Sequence, residues 1–98
     1  MNSLTDDAAG RWLITTMTGT RYLIDLDQRW VCRMPSAGVE NSMRRDFHDV
    51  NLLRLMRCHV AGPLVLLVDL RLPGAMMTKR SSSPVRLIER ADLDVDAL

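Results

Sequence analysis

The chain has 98 residues, a net charge of +1, 47 % hydrophobic content and two cysteines. That length holds one domain and excludes a second, since folding at this size buries roughly two-thirds of the unfolded surface, enough for one modest core. The longest apolar run, Val60 to Val68, is too short to span a bilayer and is broken by Gly62-Pro63. Met1 to Asp7 carries neither the basic nor the apolar stretch of a signal peptide, so a soluble, cytoplasmic protein is expected.

The charge is uneven. Residues 1–10 hold Asp6 and Asp7 and no base, and residues 92–98 hold Asp92, Asp94 and Asp96 and no base. All 13 bases lie between, against the seven remaining acids, so the body of the chain carries +6. Such a body can attract a polyanion, or be shielded by its own acidic end. Only Lys79 among the bases is Lys, an Arg bias typical of GC-rich genomes and no sign of selection for phosphate. Residues 1–10 read as a loose tail, 11–91 as the folded domain and 92–98 as an acidic tail.

Trp12 to Met17 reads as the first strand, Thr18-Gly19-Thr20 as a turn and Arg21 to Asp27 as the returning strand. Tyr22, Ile24 and Leu26 alternate with charged residues, the period of a half-buried strand. Trp30, Cys32 and Met34 continue on even positions, with Arg29 and Arg33 between them. This predicts that the same face stays inward through a bend or a two-residue turn, leaving Arg21, Arg29 and Arg33 outside. Residues 36–51 read as a loop. The spacing of Met43, Phe47, Val50 and Leu53 also fits a short helix capped by Asn41 or Ser42.

Leu52 to Val60 alternates again, predicting Met56, Cys58 and Val60 on one face and Leu55, Arg57 and His59 on the other. Leu64 to Leu70 is apolar on both faces, as expected for a strand covered on both sides. Met76 to Lys79 pairs briefly, Ser81 to Pro84 is a break, and Val85 with Leu87 faces inward in the last strand. The expected fold is all-β and mainly antiparallel: a five- to six-stranded small barrel or roll of SH3-like size, with at most one short helix.

No catalytic motif is present, and a non-enzyme is expected. Asp46, His48 and Asp49 have no nucleophile with a recognisable motif beside them. Cys58 and His59 are adjacent, so in a strand they face opposite sides and do not share an ion. With no CxxC or HxxxH spacing, neither metal nor cofactor is expected. Cys32 and Cys58 read as buried, reduced thiols on apolar faces. Most of the seven Met read as gap-fillers in a core short of aromatics, with an adaptable contact surface as the other role.

The segments Arg11 to Thr16, Gly19 to Asp27 and Arg33 to Pro35 resemble a group of small all-β proteins of actinobacteria and their phages. So do Leu52-Leu53, Arg57 to Val60, Gly62 to Leu70 and Ser82 to Glu89. Together these blocks cover about two-thirds of the chain. The resemblance implies a small all-β fold and a phage or prophage origin, and carries over no function.

The candidate binding residues are Arg44, Arg45, Phe47, Arg54 and Arg57. They point to a non-catalytic module that binds another protein through the 36–51 loop or by strand addition at an open sheet edge. A basic nucleic-acid module is the alternative, weakened by scarce aromatics. A structural or homo-oligomeric assembly subunit is the third. No membrane partner is expected.

Overall fold

Alternation in Arg11 to Thr16 and Arg21 to Asp25 builds the first hairpin. The computed structural model describes residues 1–36, 48–71, 73–74 and 77–91. Strands β1 (Arg11–Thr16) and β2 (Arg21–Asp25) pair antiparallel with Trp12 opposite Ile24 and Ile14 opposite Tyr22. All four side chains face the core. The connecting turn has Gly19 at a φ of +89°, a conformation that costs glycine little. Its N–H donates to Thr16 O, and Thr16 N–H donates to Thr20 O.

The next hairpin reverses the expected faces. β3 (Trp30–Met34) pairs with β2 from Asp25 opposite Trp30 to Arg21 opposite Met34. Directly opposed residues share a face. The intervening loop, Leu26 to Arg29, has an even number of residues, so even positions of β2 face odd positions of β3. Val31 and Arg33 therefore point inward, while Trp30, Cys32 and Met34 lie half-buried on the outer face. One carboxylate oxygen of Asp25 accepts the Asp27 and Gln28 N–H groups at 2.9 and 2.8 Å, and Arg29 takes a φ of +62° to rejoin the sheet. The other Asp25 oxygen meets Arg11 at 3.2 Å, and the Arg11 guanidinium lies 5.0 Å from the Trp30 ring centroid. That ion pair, which also accounts for the burial of Asp25, fixes the turn and hence the parity.

Bulges overturn the faces expected for the second half. β4 (Asp49–Arg57) pairs with β5 (Pro63–Asp69), but the register shifts between Leu52 and Arg54 and again between Leu55 and Arg57. Each shift inserts one residue that has no partner on β5, and so turns the next side chain over. Leu52, Leu55 and Cys58 are buried at a spacing of three, and Met56 is outside rather than inside. β6 (Thr78–Arg90) runs unbroken through Ser81 to Pro84, where a break was expected. Its register with β5 shifts there, and the Ser82 hydroxyl accepts the Leu64 N–H at 3.0 Å, standing in for a ladder partner. A further shift at Thr15/Thr16 on β1 leaves Val85 and Ile88 inside and Leu87 exposed, again against the alternation expected. Val50 and Leu53 belong to β4, so no helix runs through them.

The six strands follow chain order around a closed barrel, with β6 pairing back to β1. Each of the six described strands therefore has a neighbour on both sides, which disfavours addition of a partner strand along a whole open edge. Ile14, Ile24, Leu64, Leu66, Val68 and Val85 are the fully buried aliphatic side chains of the core. Burying each stabilises the fold by roughly 1.5–3 kcal/mol. β4 pairs with β3 only at Asp49, Val50 and Asn51, and the first residues of the chain cover its remainder. Leu4 is buried, its N–H donates to Cys58 O, and Val60 N–H donates to Asn2 O. In the segment expected as a loose tail, Asn2 and Leu4 thus bond the chain just after β4, and Gly10 O accepts the Leu26 N–H just after β2.

Candidate binding face

The outer surface of β4, β5 and β6 combines positive charge with apolar area. Register places Arg54, Leu67 and Lys79 in one cross-strand row, and Arg57, Val65 and Ser81 in the next. Opposed residues share a face, so both rows look outward. Leu67 and Val65 are half-buried and the flanking Arg54, Arg57 and Lys79 are exposed. The two bulge residues add to this surface: Leu53 is 44 % exposed and Met56 49 %. Strand β5 was expected to be covered on both sides. Its inner set, Leu64, Leu66 and Val68, is buried, while Val65 and Leu67 sit between the cations.

Of the residues predicted for binding, Arg54 and Arg57 lie on this face, three apart on β4, on the same side because of the second bulge. Arg44, Arg45 and Phe47 lie outside the described residues. Arg21, Arg29 and Arg33, expected outside on one face, are separated. Arg33 is 6 % exposed and inside the barrel, its Nε donating to Tyr22 Oη at 3.3 Å. Arg29 pairs with Asp6 at 2.8 Å and also donates to Leu53 O. Arg21 is exposed on β2, on the other side of the barrel from β5.

Asp6 is the seam between the N-terminal segment and this face. Its Oδ1 accepts the Leu55 N–H at 2.7 Å as well as the Arg29 guanidinium. Partial burial alone would raise its pKa. The Leu55 N–H, the Arg29 contact and the charges of Arg29 and Arg54 outweigh that and hold it below the usual carboxylate value. Asp6 therefore stays ionised and tethers β4 where β3 no longer reaches it.

Leu53, Met56, Val65, Leu67 and Lys79 escape strand-by-strand reading because bulges decide which of them face out. One signal was available: Leu52, Leu55 and Cys58 recur every third residue inside a β segment, a spacing that an unbulged strand cannot bury.

The remaining chemistry is sparse. Exposed His48 and Asp49 line an open depression of about 340 Å³ with Val50, Asn51, Asp69, Leu70 and Arg71. Among the described residues no hydroxyl or thiol side chain lines it. Both cysteines are free. Cys58 is buried, and that burial pushes its thiol up to about 12. Cys32 is half-buried on the outer face, against the inward placement expected. Among the described residues no three His, Cys, Asp or Glu side chains gather to hold a metal, and no helix is long and apolar enough to cross a membrane. No protein-family model, curated protein or solved structure matches the chain.

Proposed function

We propose that the protein is a non-catalytic interaction module that binds another protein through the outer face of β4–β5–β6. The observation that carries this reading is the pair of bulges on β4. They expose Leu53 and Met56 beside Arg54 and Arg57, next to Val65 and Leu67. Arg and Met are enriched at protein interfaces, and an apolar centre rimmed by cations suits a partner surface with apolar side chains among Asp and Glu. Because the barrel is closed, the partner docks on side chains instead of extending the sheet.

The test is affinity capture from a host lysate treated with nuclease, comparing wild type with an Arg54→Glu/Arg57→Glu variant. The expected result is a protein partner that survives nuclease and is depleted about tenfold or more by the double charge reversal. Equal capture by both forms contradicts the assignment of this face.

Nucleic acid is the second reading, favoured by Arg54, Arg57 and Lys79 on one face. Three phosphate contacts would give a log–log salt slope of about −3 on duplex DNA. Stacking support is missing from the described part of the face: Trp12 and Tyr22 are buried in the core, and Trp30 lies under Arg11.

A further inference from the structure

We propose that the recess at the β1–β2 turn end of the barrel binds a phosphate group. It is a half-open cavity of about 160 Å³ lined by Thr16, Thr18, Thr20, Tyr22, Arg33 and Ser81 to Ser83. At about 30 Å³ per water, that is room for about five waters, comparable to the five heavy atoms of a phosphate. Six hydroxyl side chains from two elements, the β1–β2 hairpin and β6, face it together with the phenol of Tyr22. The Arg33 guanidinium supplies a fixed positive charge from the barrel interior.

Counting protons shows which groups are left to donate. Thr16 Oγ1 gives its proton to Thr20 O, so the 3.2 Å contact with Thr18 Oγ1 runs from Thr18 to Thr16. Ser83 Oγ must then donate to Thr18 Oγ1 at 3.0 Å. Ser82 Oγ donates to Ser83 O. Those four hydroxyls are spent holding the rim. Tyr22 Oη accepts from Arg33 Nε, which leaves its own proton free to point elsewhere. Thr20 is 3 % exposed, and its hydroxyl has no hydrogen-bond partner among the described residues. A buried hydroxyl of this kind costs stability unless something pairs with it. Ser81 stands in the outward row with Arg57 and Val65, so the donors left for the recess are Tyr22 and Thr20.

Two neutral O–H donors and a guanidinium at one recess suit an acceptor-only ligand with several oxygens. Phosphate, free or as a small ester, has that character. Arg33 and Arg80 make contacts besides those named, and the site does not need Arg33 unpaired, because a guanidinium has five N–H donors. Tyr22 and Arg33 also line an adjoining cavity with Arg80. Apart from Ser81 at its border, the recess shares none of the residues named for the outer face of β4–β5–β6.

The test is titration of the full chain with inorganic phosphate, glycerol 3-phosphate and acetate at constant ionic strength, followed by amide chemical shifts. The expected result is saturable shifts at Thr16, Thr20, Tyr22 and Ser81 to Ser83 with a Kd of about 1 mM or tighter for phosphate or its ester. The better of the two identifies a free anion or an esterified one. Tyr22→Phe and Thr20→Val, each checked for a native spectrum, should weaken binding about tenfold apiece. Arg33→Lys adds the charge test, but the two hydroxyl variants decide the matter if that buried change unfolds the protein. Linear, non-saturating shifts up to about 50 mM, or acetate binding as well as phosphate, would overturn the assignment. So would hydroxyl variants that bind like wild type.

Discussion

Strands β1 to β3 and strands β4 to β6 enclose one core, but they obey the pleat differently. In the first half the pairing of β1 with β2 and of β2 with β3 keeps strict register, and alternate residues face alternate sides. In the second half the β4–β5 and β5–β6 pairings slip, as does the β6–β1 seam, and burial recurs at threes as well as twos. The two slips on β4 each place an apolar side chain, Leu53 and Met56, outside without opening the sheet. The regular half spends its apolar residues on the interior and caps its turn with Asp25 and Arg11. The bulged half uses the same residue types to make an outer surface.

The largest effects test whether the two halves share one core. Ile24→Ala in β2 and Leu66→Ala in β5 should each lose about 2–5 kcal/mol of unfolding free energy in denaturant titrations. A much smaller loss for Leu66→Ala would mean that the bulged half is packed loosely and contributes less to the core. Next comes the seam. Asp6→Asn should cost about 1 kcal/mol, because the carboxylate that holds Leu55 N–H and Arg29 is partly exposed and screened. The Asp6 pKa is depressed in the folded state, so its contribution is present above the ordinary 3.8 and is lost as pH falls below that value. The acid limb of the wild-type stability curve should therefore be steeper than that of Asp6→Asn.

Smaller still is the expected cost of Leu53→Ser/Met56→Ser, about 0.5 kcal/mol or less in stability, since both side chains are exposed. The same double variant should lose partner capture about tenfold, which would separate the binding role of the bulges from folding. At neutral pH, Cys58 makes no pH-dependent contribution at all. Its thiol is raised in the fold, so stability is fully present below the ordinary 9.0 and drains away as pH rises from there toward about 12. Cys58→Ala should lack that alkaline slope, and native Cys58 should resist alkylation until the protein is unfolded.

Much of the regular half was legible in the sequence. Trp12, Ile14, Tyr22 and Ile24 declare their faces by alternation, and Thr18 to Thr20 declare the turn. Trp30 misleads, because an aromatic between two arginines looks like core when parity alone is counted. The even loop from Leu26 to Arg29 decides otherwise: Asp25 closes it by accepting the Asp27 and Gln28 N–H groups, and Arg11 anchors the same carboxylate from β1, a contact that no local pattern contains. The bulges are illegible for a related reason: an inserted residue is defined by the opposite strand. Arg54 and Arg57 could be singled out by charge alone. Met56 was assigned inward and Leu53 was left unassigned to the site, because both depend on where β4 slips past β5. Ser81 to Ser83 read as a break until the Ser82 hydroxyl is seen to substitute for a ladder partner of Leu64.

The most direct test of the binding face is an oxidative footprint of the methionines in the captured complex. Met56 on the proposed face and Met17 at the β1–β2 turn are comparably exposed, at 49 % and 56 %. Each forms a sulfoxide readily when open to solvent. The account predicts that the partner protects Met56 and leaves Met17 reactive. Protection of Met17 with Met56 still reactive would contradict it and move the binding surface to the other end of the barrel.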